Sequence, residues 1–114
     1  MRIRAKTAAV VTMGLATVLL AAAPSSAAGT SWTRSCGTTY YAVLKAYPTY
    51  HIAETSKGPN GSCAGHAWVR IKVDGEWSAW RSDSKVARAV EDWSTIQVSQ
   101  HKGCGDCDVK SLYP

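Results

Sequence analysis

The dipeptide Asp74-Gly75, set between two runs of strand-forming residues, constrains this chain more than any other feature. A two-residue type I′ turn needs positive φ at both central positions, and Asp-Gly tolerates that. Upstream of it, Ala67, Val69, Ile71 and Val73 alternate with His66, Trp68, Arg70 and Lys72. A period of two belongs to a strand with unlike faces. With Asp74 and Gly75 as the loop, Val73 lies opposite Glu76, Lys72 opposite Trp77, Arg70 opposite Ala79 and Trp68 opposite Arg81. One face then holds the aliphatics with Ser78 and Trp80. The other interleaves Trp68 and Trp77 with Arg70, Lys72 and Arg81. Directly opposed pairs interact most strongly, and a cation over an exposed indole contributes roughly 0.5–1 kcal/mol. Basic stems can also serve only to cover indole surface. These five residues form the candidate binding face.

Residues 1–28 read as a secretory signal peptide. Arg2, Arg4 and Lys6 form a positive n-region, Ala8 to Ala23 is uncharged, and Pro24 to Ala28 supplies a small-residue cleavage region. The apolar run falls short of the ~20 residues a membrane helix needs. Cleavage is expected after Ala28, leaving one secreted domain over 29–114 and no membrane span. Export also changes the charge argument. The formal +5 includes the three basic residues of the leader, and ten Lys and Arg against eight Asp and Glu remain, a formal +2. A nucleic-acid partner is therefore not favoured, and any basic function must come from local clustering.

About 86 residues remain after the leader, enough for one domain with a modest core. Four cysteines in an exported chain suit that shortage, since a disulfide contributes ~2–4 kcal/mol. Four cysteines allow three pairings. Cys36 with Cys63 and Cys104 with Cys107 is the favoured set, and crossed pairing of the tail to the first two is its rival.

Gly29 to Gly37 reads as an irregular lead-in. Thr38 to Tyr47 is rich in β-formers and reads as a strand, broken by Pro48, with a second strand over Thr49 to Glu54. Ser56 to Ser62 is a turn-rich loop. Lys85 to Trp93 fits a helical stripe or a strand, and its β surroundings favour strand. Thr95 to Ser99 reads as a strand with Ile96 and Val98 inward, and His101 to Pro114 as loop with some edge pairing. The fold class expected is mostly β: a small antiparallel β-sandwich or barrel-like single domain, stabilised by disulfides.

Cys104-Gly105-Asp106-Cys107 could be a redox dithiol, half a zinc site or a small structural ring. The seven residues after Cys107 are too few for the helix that lowers a redox thiol's pKa, and Asp106 and Asp108 would raise it. His101, Cys104 and Cys107 with Cys63 and His66 have ligand-like spacings, but exported thiols usually oxidise. His51, His66 and His101 with Glu54, Glu76 or Glu91 could pair as acid and base, yet no spacing ties them together. No catalytic residue, metal set or cofactor is therefore assigned. The five Trp and five Tyr, all beyond the leader, are the best functional hint, because each pairs an apolar body with a polar handle. Trp80 and Trp93 are expected in the core, Trp68 and Trp77 at the surface.

The layout of a leader followed by G-S-C-A-G-H-A-W-V-R-I, D-G-E-W-S-A-W and Q-H-K-G-C-G-D-C resembles small secreted proteins of actinobacteria. That resemblance implies export and carries no activity with it. In size and composition the chain is also similar to lactococcin-type bacteriocins, and in size and cysteine number to secreted serine-protease inhibitors of streptomycetes. The expected function is non-catalytic binding, of an antibacterial-effector kind, to an extracellular polymer, a cell surface or a secreted protein. A protease inhibitor using Ser56 to Ser62 as bait, and a small hydrolase or nuclease, are the alternatives.

Overall fold

The computed structural model describes residues 26–114, which form nine strands and no helix. The expected signal peptide lies outside them except for Ser26, Ala27 and Ala28. These three open β1 (Ser26–Thr33), so the expected cleavage point falls within a strand, opposite Leu44. β1 is followed by β2 (Thr39–Ala46), β3 (Tyr50–Lys57), β4 (Ala67–Val73), β5 (Glu76–Trp77), β6 (Arg81–Asp83), β7 (Val86–Asp92), β8 (Val98–Lys102) and β9 (Lys110–Leu112). The first sheet has the order β1-β2-β3-β7. The second runs β5-β4-β8-β9, with β6 also paired to β4. All pairings are antiparallel. The expected class holds, as two packed sheets rather than a closed barrel.

Alternation sets which side of each strand faces in. In β2, Tyr40, Ala42, Leu44 and Ala46 are buried while Tyr41 is exposed, and in β7 Ala87 and Ala89 are buried between exposed neighbours. Ala42, Leu44, Ala53, Ala87 and Ala89 from the first sheet meet Ala67, Val69, Ile71 and Leu112 from the second and Ile96 from the segment before β8. The first sheet's contribution to this cluster is mostly alanine, with Leu44 the larger exception, while Tyr40 and Thr55 on the same sheet are also fully buried.

Lys85 to Trp93 resolves to strand β7. Other expectations need correction. Gly29 to Thr33 is strand rather than lead-in, because its backbone completes the edge of β2. The strand expected over Thr95 to Ser99 begins only at Val98, although Ile96 is buried as expected. His101 and Lys102 belong to that same strand and not to a tail loop.

Both disulfides join the favoured pairs, Cys36 with Cys63 and Cys104 with Cys107, and none of the four cysteines is free. Two disulfides within one chain fit an oxidising compartment. Around the first bridge the backbone is stitched tightly. Ser62 N–H donates to the Cys36 carbonyl at 3.1 Å and Cys63 N–H to Thr38 Oγ1 at 3.0 Å. Gly61, at φ +77°, lies so close to Gly37 that a Cβ there would sit 2.2 Å from the Gly37 carbonyl carbon. Ser56 and Lys57, expected in the loop, complete β3 by pairing with Tyr41 and Tyr40, and the loop proper begins at Gly58. Asn60 Nδ2 donates to the Gly37 carbonyl at 3.1 Å, so the loop's end is tied down against the body. Arg34 completes the seam. Its Nη1 donates to Tyr40 Oη at 3.2 Å and to the carbonyls of Ala64 and Gly103 at 3.0 and 3.1 Å.

Candidate functional site

The turn forms as the dipeptide predicts, with Asp74 at φ 52° and Gly75 at φ 81°. Lys72 pairs with Trp77 and Val73 with Glu76. Past this point the register slips. Ser78 N–H donates to the Ile71 carbonyl at 2.8 Å, and Ser78 Oγ accepts from Ile71 N–H at 3.1 Å. Further along, Val69 pairs with Arg81 and Trp68 with Ser82. Between these points β4 has one residue, Arg70, where the returning arm has two, Ala79 and Trp80. This is a β-bulge, and its one extra residue reverses the facing of every later position in the arm. Arg81 therefore shares Val69's side of the sheet and leaves the expected face. Trp80, expected in the core, joins that face instead.

The outcome is an alternating stack of cations and indoles. The Arg70 guanidinium carbon lies 4.5 Å from the Trp77 ring centroid and 4.6 Å from that of Trp80. Lys72 Nζ lies 5.9 Å from the Trp77 centroid. At the other end, Lys102 Nζ lies 4.2 Å from the Trp80 centroid and 5.1 Å from that of Trp68. The order is Lys72, Trp77, Arg70, Trp80, Lys102, Trp68. Four of the five expected residues are brought together, and Trp80 and Lys102 are the two that sequence reasoning missed. Lys102 comes from β8, where it pairs with Trp68, a partnership that no local pattern announces.

The stack is fixed at both its middle and its end. Arg70 Nε donates to Gln100 Oε1 at 2.8 Å, and Lys102 Nζ donates to the Gly105 carbonyl at 2.7 Å. No carboxylate among the described residues neutralises it, since the only salt bridge there is Arg88 with Glu54, on the first sheet. Arg70 keeps its Nη hydrogens, and Lys72 its ammonium, for water or a ligand.

Other polar features are built for structure. His101 is fully buried between the sheets. Thr55 Oγ1 donates its single hydrogen to the Trp68 carbonyl at 2.7 Å, so it must accept from His101 Nδ1–H at 2.8 Å. That leaves Nε2 to accept from Ser99 Oγ at 2.7 Å. Burial pushes the His101 pKa down to about 4, partly offset by a hydrogen bond with the Glu54 backbone. The imidazole is neutral and out of solvent. Ser99 is fully buried as well, so this Ser–His contact does not meet a substrate. His51 Nδ1 accepts from Ile96 N–H at 3.0 Å, and His66 is exposed. Among the described residues no hydrogen bond joins two histidines. All four cysteine sulfurs are in disulfides, so none is a thiolate ligand.

Hollows among the described residues include one of about 270 Å³ lined by Lys57, Gly58, Pro59, Ser84 and Lys85. A cleft of about 410 Å³ is lined by Trp32, Arg34, Asp106, Asp108 and Lys110, with cations and carboxylates in equal number. A smaller one, about 100 Å³, lies beside Tyr47, Tyr50 and Trp93. Trp93, also expected in the core, is 81% exposed. Comparisons with protein families, with characterised proteins and with solved structures find no match for this chain.

Proposed function

We propose that this is a secreted, non-catalytic binding protein that holds an anionic extracellular polymer against the outer face of its second sheet. The observation that carries this reading is the row of Arg70, Lys72 and Lys102 without a carboxylate partner among the described residues. Residues two apart along a strand are spaced about 6.7 Å, a step that suits the repeated charges of a linear polyanion. Packing between indoles holds the cations in place before contact, which lowers the ordering cost of binding. An antibacterial effector acting at a charged cell surface is one form of this function.

Lys72→Ala with Lys102→Ala is expected to weaken binding to dextran sulfate by at least about tenfold at low salt. The dependence on salt should become shallower by the same change, since two fewer counter-charges are released. Arg81→Ala, on the other side of the sheet, is expected to leave binding unchanged. Calorimetric titration at several ionic strengths checks both. Equal losses from the two variants, or binding insensitive to salt, would remove the polyanion reading.

A further inference from the structure

Trp93 occupies a position that its own conformation argues against. It follows the last residue of β7, and its backbone N–H donates to the Thr49 carbonyl at 2.9 Å as the chain reverses. The reversal is made with Trp93 at φ +67°. A bulky L-residue in the left-handed region is an outlier, since its Cβ crowds the following carbonyl, and Gly or Asn would take this turn with less strain. Nor does burial compensate, because the side chain is 81% exposed. A large indole is thus held at a strained position, facing water, where it adds little to the fold. Strain of this kind tends to mark places where something outside the fold is engaged.

The surroundings indicate what that is. Tyr47 and Tyr50 stack at 4.6 Å with their planes 15° apart. With Pro48 and Trp93 they line the shallow hollow of about 100 Å³. Its rim is Thr49, His51, Ser94 and Thr95, and no acidic, Lys or Arg side chain lines it. His51 adds a defined donor. Its Nδ1 accepts from Ile96 N–H at 3.0 Å, so in the neutral ring the hydrogen is on Nε2, for which the described residues show no partner. Flat aromatic surface with an uncharged, hydroxyl-bearing rim fits a ligand that has one C–H face and many hydroxyls. It does not fit a polyanion, and it is too shallow to enclose an apolar molecule.

We infer that Trp93, with Tyr47 and Tyr50, forms a second binding site, for a neutral saccharide ring that stacks on the indole and hydrogen-bonds to the Thr49, His51, Ser94 and Thr95 rim. This site is separate from the cation–indole stack and does not depend on it. A sugar-bearing anionic polymer could engage both.

The experiment is an NMR titration of the full secreted protein with neutral trisaccharides of glucose, mannose and N-acetylglucosamine, combined with melting of Trp93→Gly. At least one trisaccharide, at millimolar concentration, is expected to shift the Trp93 indole N–H and the Ser94 and Thr95 amides. The indoles of Trp68, Trp77 and Trp80 should not move. Trp93→Gly is expected to raise Tm by relieving the turn and to weaken that binding at least about tenfold. A higher Tm with lost binding separates a ligand residue from a structural one. If none of the three shifts the Trp93 signals, or if Trp93→Gly lowers Tm or leaves affinity intact, the inference fails. Shifts caused only by dextran sulfate, or only at the Trp68, Trp77 and Trp80 indoles, would also overturn it while leaving the polyanion function standing.

Discussion

Replacing Cys36 and Cys63 together by serine is expected to lower stability by about 3.5 kcal/mol and Tm by about 15–25 °C. The bridge spans a sequence separation of 27, and closing such a loop takes far more freedom from the unfolded chain than closing a short one. Cys104 and Cys107 are only 3 apart, and their removal is expected to lower stability by about 2 kcal/mol on the same basis. The folded side adds to the contrast. Cys63 is buried, and both the contact of Gly61 with Gly37 and the bond from Ser62 to the Cys36 carbonyl lie beside the first bridge. Urea and thermal denaturation of the two double variants give the comparison. Equal losses, or a larger one for the tail pair, would show that the 36–63 bridge is not the main constraint.

A second large effect should appear with pH. His101 is neutral when folded, with its pKa lowered to about 4 from the usual 6.5. Between those values the unfolded chain takes up a proton that the folded one refuses. Stability attributable to this residue is therefore fully present above pH 6.5, falls as the pH drops, and stops falling below about pH 4. The whole loss is on the order of 3 kcal/mol. His101→Gln, which keeps a donor and an acceptor between Thr55 and Ser99, should be less stable at pH 7 but flatter between pH 6.5 and 4. Unfolding free energies at about pH 7.5, 6 and 5 decide the matter. A variant with the same slope as the parent protein would place the acid sensitivity elsewhere.

The limits of the sequence can be traced to particular residues. β4 is legible because its faces alternate within its own run of residues, and β2 and β3 because of their β-formers and the Pro48 between them. β7 is legible only from its β surroundings, since Lys85 to Trp93 fits a helical stripe as well. β1 is not, because Ser-Ala-Ala-Gly-Thr-Ser has no period, and its strand state comes from the neighbour it pairs with. The candidate face is legible as far as the turn fixes the register, which covers Lys72 and Trp77. Past Ser78 a hydroxyl and a backbone amide bond the same partner, a bulge intervenes, and simple alternation then assigns Arg81 and Trp80 to the wrong sides. Lys102 reaches the stack through its pairing with Trp68, far away along the chain, so only the folded sheet shows it. Trp93 misleads for a different reason. Hydrophobicity says nothing of backbone sign, and a strained turn can hold an indole out of the core. His101, whose spacing suits a ligand or a base, is interior because two hydroxyls from different sheets satisfy both of its nitrogens.

The alanine lining of the first sheet has a thermal consequence. Unfolding raises heat capacity mainly through the apolar surface it exposes, typically about 12–15 cal/mol/K per residue. Ala42, Ala46, Ala53, Ala87 and Ala89 each expose less on unfolding than a larger apolar side chain would, so this sheet contributes less to that rise than one lined by Leu or Val. A low value flattens the curve of free energy against temperature, while the cross-links restrict the unfolded chain at every temperature alike.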